Sequence, residues 1–174
     1  IAAASGDLQR VKDLLEENSD LANDALPCGK RPLSSAIEQG HTEIARLLLA
    51  HGADPSLPEG RYAPVGAALH AASRSDNLEI VEMLLEKGAD PNGYVDSCGT
   101  CISEAKSKEM RNLMYRYGGK LDAFGYVWEG NFDAMAVMAD ADPEGAGRLG
   151  CGGAFAAVVK KGDWDMLHML LKRG

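Results

Sequence analysis

Cys98 and Cys101 are the closest pair of metal-capable or redox-capable side chains in this 174-residue chain. Two thiols at this spacing supply half of a tetrahedral zinc site, or a dithiol–disulfide couple. Zinc needs about four ligands. No second Cys-x-x-Cys and no nearby His-x-x-x-His follows, so Cys28 and His70 would have to converge on the pair from elsewhere in the chain. A turn position for Cys98 and a place at the start of a degenerate repeat for Cys101 account for both thiols without metal or redox chemistry. A hydrolytic constellation needs a nucleophile, a base and an orienting acid. Ser73 and Asp76 stand near His70, an arrangement that any polar helix end produces. Gly145 to Gly153 reads GAGRLGCGG. It lacks the Gly-Lys-Ser/Thr ending of a phosphate loop, and no strand precedes it. Asp140, Asp142 and Glu144 lack the spaced ligands of a calcium loop. No catalytic, cofactor or metal residue is assigned, and catalysis is not expected of the chain.

The elements that carry these residues follow from a repeat. Ile44 to Ser56 reads IARLLLAHGADPS, and Ile80 to Asn92 reads IVEMLLEKGADPN. Gly52 and Gly88 are 36 residues apart, as are Leu33 and Leu69. Such a period marks a stack of supersecondary units, each unable to bury its apolar face alone. Pro32 fits the first turn of a helix, where its missing N–H costs nothing. Leu33, Ala36 and Ile37 give that helix one apolar face. Gly40 suits the left-handed stop after it. Thr42 is expected to cap a second helix whose apolar positions are Ile44, Ala45, Leu47, Leu48 and Leu49. Gly52 ends it, and Asp54-Pro55 starts a turn.

The composition agrees: 45% hydrophobic, 25% charged and 6% aromatic residues describe a globular chain of thin, closely stacked helices. A net charge of −8 disfavours nucleic acid and anionic lipid as partners. No apolar run of about 18 residues suggests a membrane span. Four scattered cysteines, Cys28, Cys98, Cys101 and Cys151, point to a reducing, intracellular and cytoplasmic setting.

The anchors resemble the ankyrin repeat, worded T-P-L-H-x-A-A, then G-H, L-L-L and G-A-D. Here they read Arg31-Pro32-Leu33-Ser34, Gly40-His41 and Gly52-Ala53-Asp54, then Ala67-Ala68-Leu69-His70, Asp76-Asn77 and Gly88-Ala89-Asp90. The implied fold is an all-α solenoid of stacked helix-turn-helix units with short loop or β-hairpin fingers. It forms one domain over residues 1–174, with units at 1–24, 25–57, 58–93, a shortened 94–122, 123–146 and 147–174. Both ends are expected to be incomplete. Val137-Met138 and Leu170-Leu171 are expected where Leu-Leu stands, and Cys101 takes the Pro position of the degenerate fourth unit. His41 and His70 fall where the pattern places histidine and are expected to make structural hydrogen bonds.

The resemblance implies binding of another protein through a concave groove and loop tips, with no catalysis. The two residues before each inter-helix glycine face that groove in the family. Here these are Glu38 and Gln39, Arg74 and Ser75, Trp128 and Glu129, and Lys160 and Lys161, with Ala4 and Ser5 in the first unit. Trp128 reads either as an exposed hot spot or as filler beside the short fourth unit. Tyr126, in an Ala slot, suggests local repacking. Loop-tip candidates are Glu59, Arg61 and Tyr62 on one finger, and Tyr94 and Asp96 on the next. A monomeric scaffold or adaptor is the expected function. The alternative is a regulatory ankyrin segment of a larger enzyme or effector.

Overall fold

The computed structural model describes residues 1–60, 63, 65–93, 100–121, 123–141 and 154–172. They form two compact units, one ending at Lys120 and the other beginning at Leu121. The first holds α1 (Ala2–Ser5), α2 (Leu8–Glu17), a 3₁₀ turn (Ser19–Ala22), α3 (Pro32–Glu38), α4 (Thr42–Ala50), α5 (Ala68–Ser75), α6 (Leu78–Glu86) and α7 (Lys108–Arg116). The second holds α8 (Ala123–Glu129), α9 (Phe132–Ala141), α10 (Ala154–Lys161) and α11 (Trp164–Leu171). Among the described residues no strand forms; the finger after α4 has a single antiparallel bridge, Glu59 to Ala63.

Each helix pair is made by its connecting turn. Gly6, Gly40, Gly130 and Gly162 all take positive φ, between 71° and 80°. That conformation ends the first helix and reverses the chain. In the third pair Asp76 takes the same role at φ 56°, the only non-glycine residue in this region among the described ones. The next residue starts the second helix. Asp7, Asn77, Ser107, Asn131 and Asp163 each accept a hydrogen bond from the backbone N–H three residues on, at 3.0 to 3.2 Å. These bonds satisfy an orphan donor of the helix start. The N-cap of α4 is His41 and not Thr42, and its side chain makes no capping bond. Its Nε2–H donates instead to the Ala4 carbonyl at 3.3 Å, tying the second pair to the first as expected. Thr42, displaced from the capping role, accepts from Asn77 Nδ2 at 3.3 Å.

Counting from these caps gives the packing rule. The third, fourth, seventh and eighth residues after the cap are Ile44, Ala45, Leu48 and Leu49 in α4, and Ile80, Val81, Leu84 and Leu85 in α6. All eight are buried. In α2, which has a second-helix neighbour only on its C-terminal side, the fourth and eighth, Val11 and Leu15, are buried. In α11, with its neighbour on the other side, the third and seventh, Met166 and Leu170, are buried, whereas Leu171 is 60% exposed. Helices α4 and α6 thus offer one pair of apolar positions backward and one forward. The same count corrects the expectation for α9. Its paired slot is Met138-Ala139, because Asn131 is the cap; Val137 points out, at 69% exposure. Met135 fills the core of the second unit with Val127, Val158, Met166 and Leu170, and Tyr126 packs against it.

Side chains stitch one pair to the next along the turns after α2, α4 and α6. Asn23 Nδ2 donates to the Gly52 carbonyl at 2.9 Å, and its Oδ1 accepts from Asp54 N at 2.8 Å. Asn92 repeats this bracket on Gly118 O (3.2 Å) and Lys120 N (2.7 Å). Ser56, in the equivalent place, makes half of it, to Gly88 O at 3.1 Å.

Candidate functional site

The first helices α1, α3 and α5 lie side by side in one row, and the second helices α2, α4, α6 and α7 in another. Helix α3 begins at Pro32, and its start is held by the following finger. Arg31 N and Ser34 Oγ both donate to the Glu59 carboxylate. Glu59, a loop-tip candidate, is therefore committed to holding a helix start. Leu33, Ala36 and Ile37 anchor the buried face of α3, as Ala68, Leu69 and Ala72 anchor that of α5.

Between α3 and α5 opens a cavity of about 540 Å³. Ile37, Ala67 and Ala71 give it an apolar floor, and Glu38, His70, Arg74, Ser75 and Lys106 its polar wall. Glu38 forms an ion pair with Lys30, so its charge is offset. Arg74 lies in the last turn of α5, where a cation complements the carbonyl end of the helix. Lys106 lies in the turn before α7. Neither Arg74 nor Lys106 makes an ion pair among the described residues. Ser75 Oγ is turned to its own helix and donates to Ala72 O at 2.8 Å.

His70 departs from expectation. Its Nε2 is shut off from solvent and has no hydrogen-bond partner among the described residues. Its pKa is lowered from the ordinary 6.5, chiefly because burial penalises the imidazolium; Glu104 opposes the shift and Arg74 adds to it.

The structure thus brings Glu38, Arg74 and Ser75 to one cavity, while Gln39 is exposed beside it. The remaining groove candidates stand on the second unit. Trp128 is 55% exposed at the end of α8 and does not act as buried filler; Glu129 next to it is exposed. Lys160 and Lys161 end α10. The Lys161 ammonium donates to the carbonyls of Val127 at 2.8 Å and Trp128 at 3.3 Å, closing the C-terminus of α8. A basic spot there rests on Lys160. Arg61, Tyr62, Tyr94, Asp96, Cys98, Cys151, the glycine run 145–153 and Asp142 and Glu144 lie outside the described residues.

Lys106 escaped the sequence reading, yet a signal exists. It stands directly before the cap Ser107, in the slot that Gly40, Gly130 and Gly162 occupy elsewhere. Cys101 is 2% exposed, and burial pushes its thiol up to about 12, so it stays protonated and a poor nucleophile. Among the described residues no three His, Cys, Asp or Glu side chains gather as a metal site. No helix there is long and apolar enough to cross a membrane.

Residues 1–94 match the family model for ankyrin repeats, in three copies. The chain is 34% identical over 105 residues to an ankyrin repeat, SAM and basic leucine zipper domain-containing protein of Notamacropus eugenii, covering 60% of this chain and 22% of that protein. It is 35% identical over 100 residues to a tRNA endonuclease of Mus musculus, covering 54% and 13%. With the 2-5A-dependent ribonuclease of Mus musculus it shares 43% identity over 54 residues, covering 31% and 7%. The aligned segments thus span less than a quarter of the length of these relatives. With the helix pairs, their glycine turns and the matched residues in agreement, the chain belongs to the ankyrin repeat family, whose repeats are in general protein-binding modules and typically carry no catalysis.

Proposed function

We propose that this chain, as one ankyrin-repeat domain of six units, is a monomeric, non-catalytic adaptor that holds a protein partner in the groove lined by its first helices. The observation that carries the reading is the cavity of about 540 Å³ between α3 and α5, with Glu38 and Arg74 on its wall and an alanine floor. It is large enough for a few side chains and carries no nucleophile–base pair. Stacking of the second helices holds the array, and the variable residues of the groove choose the partner. Trp128 and Lys160 offer a second contact area on the other unit, since large aromatics anchor interfaces.

A peptide-display selection against the purified chain tests this, with Ala71→Trp to fill the cavity and Trp128→Ala as the comparison. Selected peptides that lose binding to Ala71→Trp support the groove. Loss only with Trp128→Ala moves the contact to the second unit, and unchanged binding to both removes the groove reading.

The short share of the aligned nucleases favours a second reading, that the array regulates catalysis elsewhere in a longer protein. Comparing the longer reading frame with and without these residues tests it. An unchanged catalytic rate rules it out.

A further inference from the structure

The groove carries a charge pattern at odds with the rest of the molecule. The chain has a formal charge of −8, yet the two charged side chains of the α3–α5 cavity without an ion-pair partner among the described residues are both cations, Arg74 and Lys106. The one carboxylate on the wall, Glu38, is already held by Lys30. Arg74 has a structural explanation at the end of α5. Lys106 has none: it follows no helix and occupies a slot that elsewhere holds glycine or, in the third pair, Asp76. The floor between the cations is small and apolar, formed by Ala67 and Ala71, so a bound chain can approach closely and lose water there. Arg74 and Lys106 are both exposed, so it is a bound chain that would exclude water and reduce the screening of their ion pairs.

We propose that the cavity receives an acidic side chain, Asp or Glu, of a protein partner, seated between Arg74 and Lys106 with a small apolar neighbour on Ala71. The inference rests on the groove reading above and adds the chemistry of the occupant. Arg74 supplies a planar fork that matches a carboxylate, and Lys106 a point charge on its other side.

The test uses the full chain and degenerate nonapeptide libraries with a fixed central Glu, Gln, Lys or phosphoserine. Retention on immobilised wild type, Ala71→Trp, and the double variant Arg74→Glu with Lys106→Glu is measured, and unchanged far-UV circular dichroism is checked first. The expected result is retention of the Glu library at least about tenfold above the Gln library, the discrimination of one charge-assisted contact. It is lost with Ala71→Trp and transferred to the Lys library in the double variant. Equal retention of Glu and Gln libraries, still lost with Ala71→Trp, overturns the acidic occupant and leaves the groove reading standing. Strongest retention of the phosphoserine library also overturns it, in favour of a phosphorylated partner. Retention that Ala71→Trp leaves unchanged, or no retention at all, overturns the inference together with the groove reading.

Discussion

The two compact units solve one packing problem with different side chains. In the first, α4 and α6 bury Ile44, Leu48, Leu49, Ile80, Val81, Leu84 and Leu85, and α7 adds Met110 and Met114. In the second, the matching positions of α9 and α11 are Met135, Met138 and Met166, with Leu170 beside them. Branched aliphatic side chains have few rotamers and fix one interlocking arrangement, whereas the unbranched thioether adapts to its surroundings. The first unit is also stitched by asparagine brackets at its turns, while the described tie of the second is Lys161 on the end of α8. The surface differs as well: the second unit exposes Trp128, Phe132 and Trp164. Shape in the first is specified by its interior, and the second keeps more of its large side chains for the outside.

The largest expected effect tests the two interiors. Leu84→Ala removes a fully buried side chain from α6 and should cost about 2–5 kcal/mol in urea unfolding followed by circular dichroism. Met135→Leu in the second unit conserves volume and should shift stability by less than about 1.5 kcal/mol. Both tryptophans of the chain lie in the second unit, so their fluorescence follows it. A loss for Met135→Leu as large as that for Leu84→Ala would erase the contrast.

The stitching comes next. Asn92→Ala leaves Gly118 O and Lys120 N without their bracket and should cost about 1–3 kcal/mol. Lys161→Ala breaks one part-buried and one exposed bond to the end of α8 and should cost only about 0.5–1 kcal/mol. Ser56→Asn supplies the missing half of a bracket, toward Asp90 N, and should raise stability by roughly 0.5–1.5 kcal/mol. A loss instead would mean that the asparagine geometry does not transfer between turns.

The smallest effect is electrostatic. His70 titrates below 6.5 in the folded chain, because burial disfavours its charged form. Well above pH 6.5 the ring is neutral in both states, and its titration adds nothing to the pH dependence. As pH falls below 6.5 the unfolded chain binds the proton first, and stability is lost until the folded pKa is passed. A His70→Asn variant should therefore lose less stability than the parent between pH 7.5 and 5.5. Parallel curves would sink this assignment.

Legibility in the sequence divided along physical lines. The turns were readable, because a left-handed residue followed by a capping side chain is a local requirement that few residues meet: Gly6-Asp7, Gly130-Asn131 and Gly162-Asp163 fall where expected. The slot taken for Val137 was off by one, because valine and methionine are both apolar and only the Asn131 cap fixes the phase. His70 and Lys106 were missed as partners in one cavity because they meet across helix pairs, and no local pattern reports that. The exposure of Trp128 likewise depends on what surrounds it. Arg111 and Tyr115 of α7, standing where α4 and α6 carry Ala, Val and Leu, are a sequence signal that the aliphatic face of the first unit changes character there.

The asparagine brackets have a direction. Asn23 grips a turn some thirty residues downstream, and Asn92 does the same for the turn at Gly118 and Lys120. On the ribosome the clamp therefore emerges before the loop it will hold. Each bracketed turn is made after the side chain that fastens it, so the array can be closed in the order in which it is synthesised.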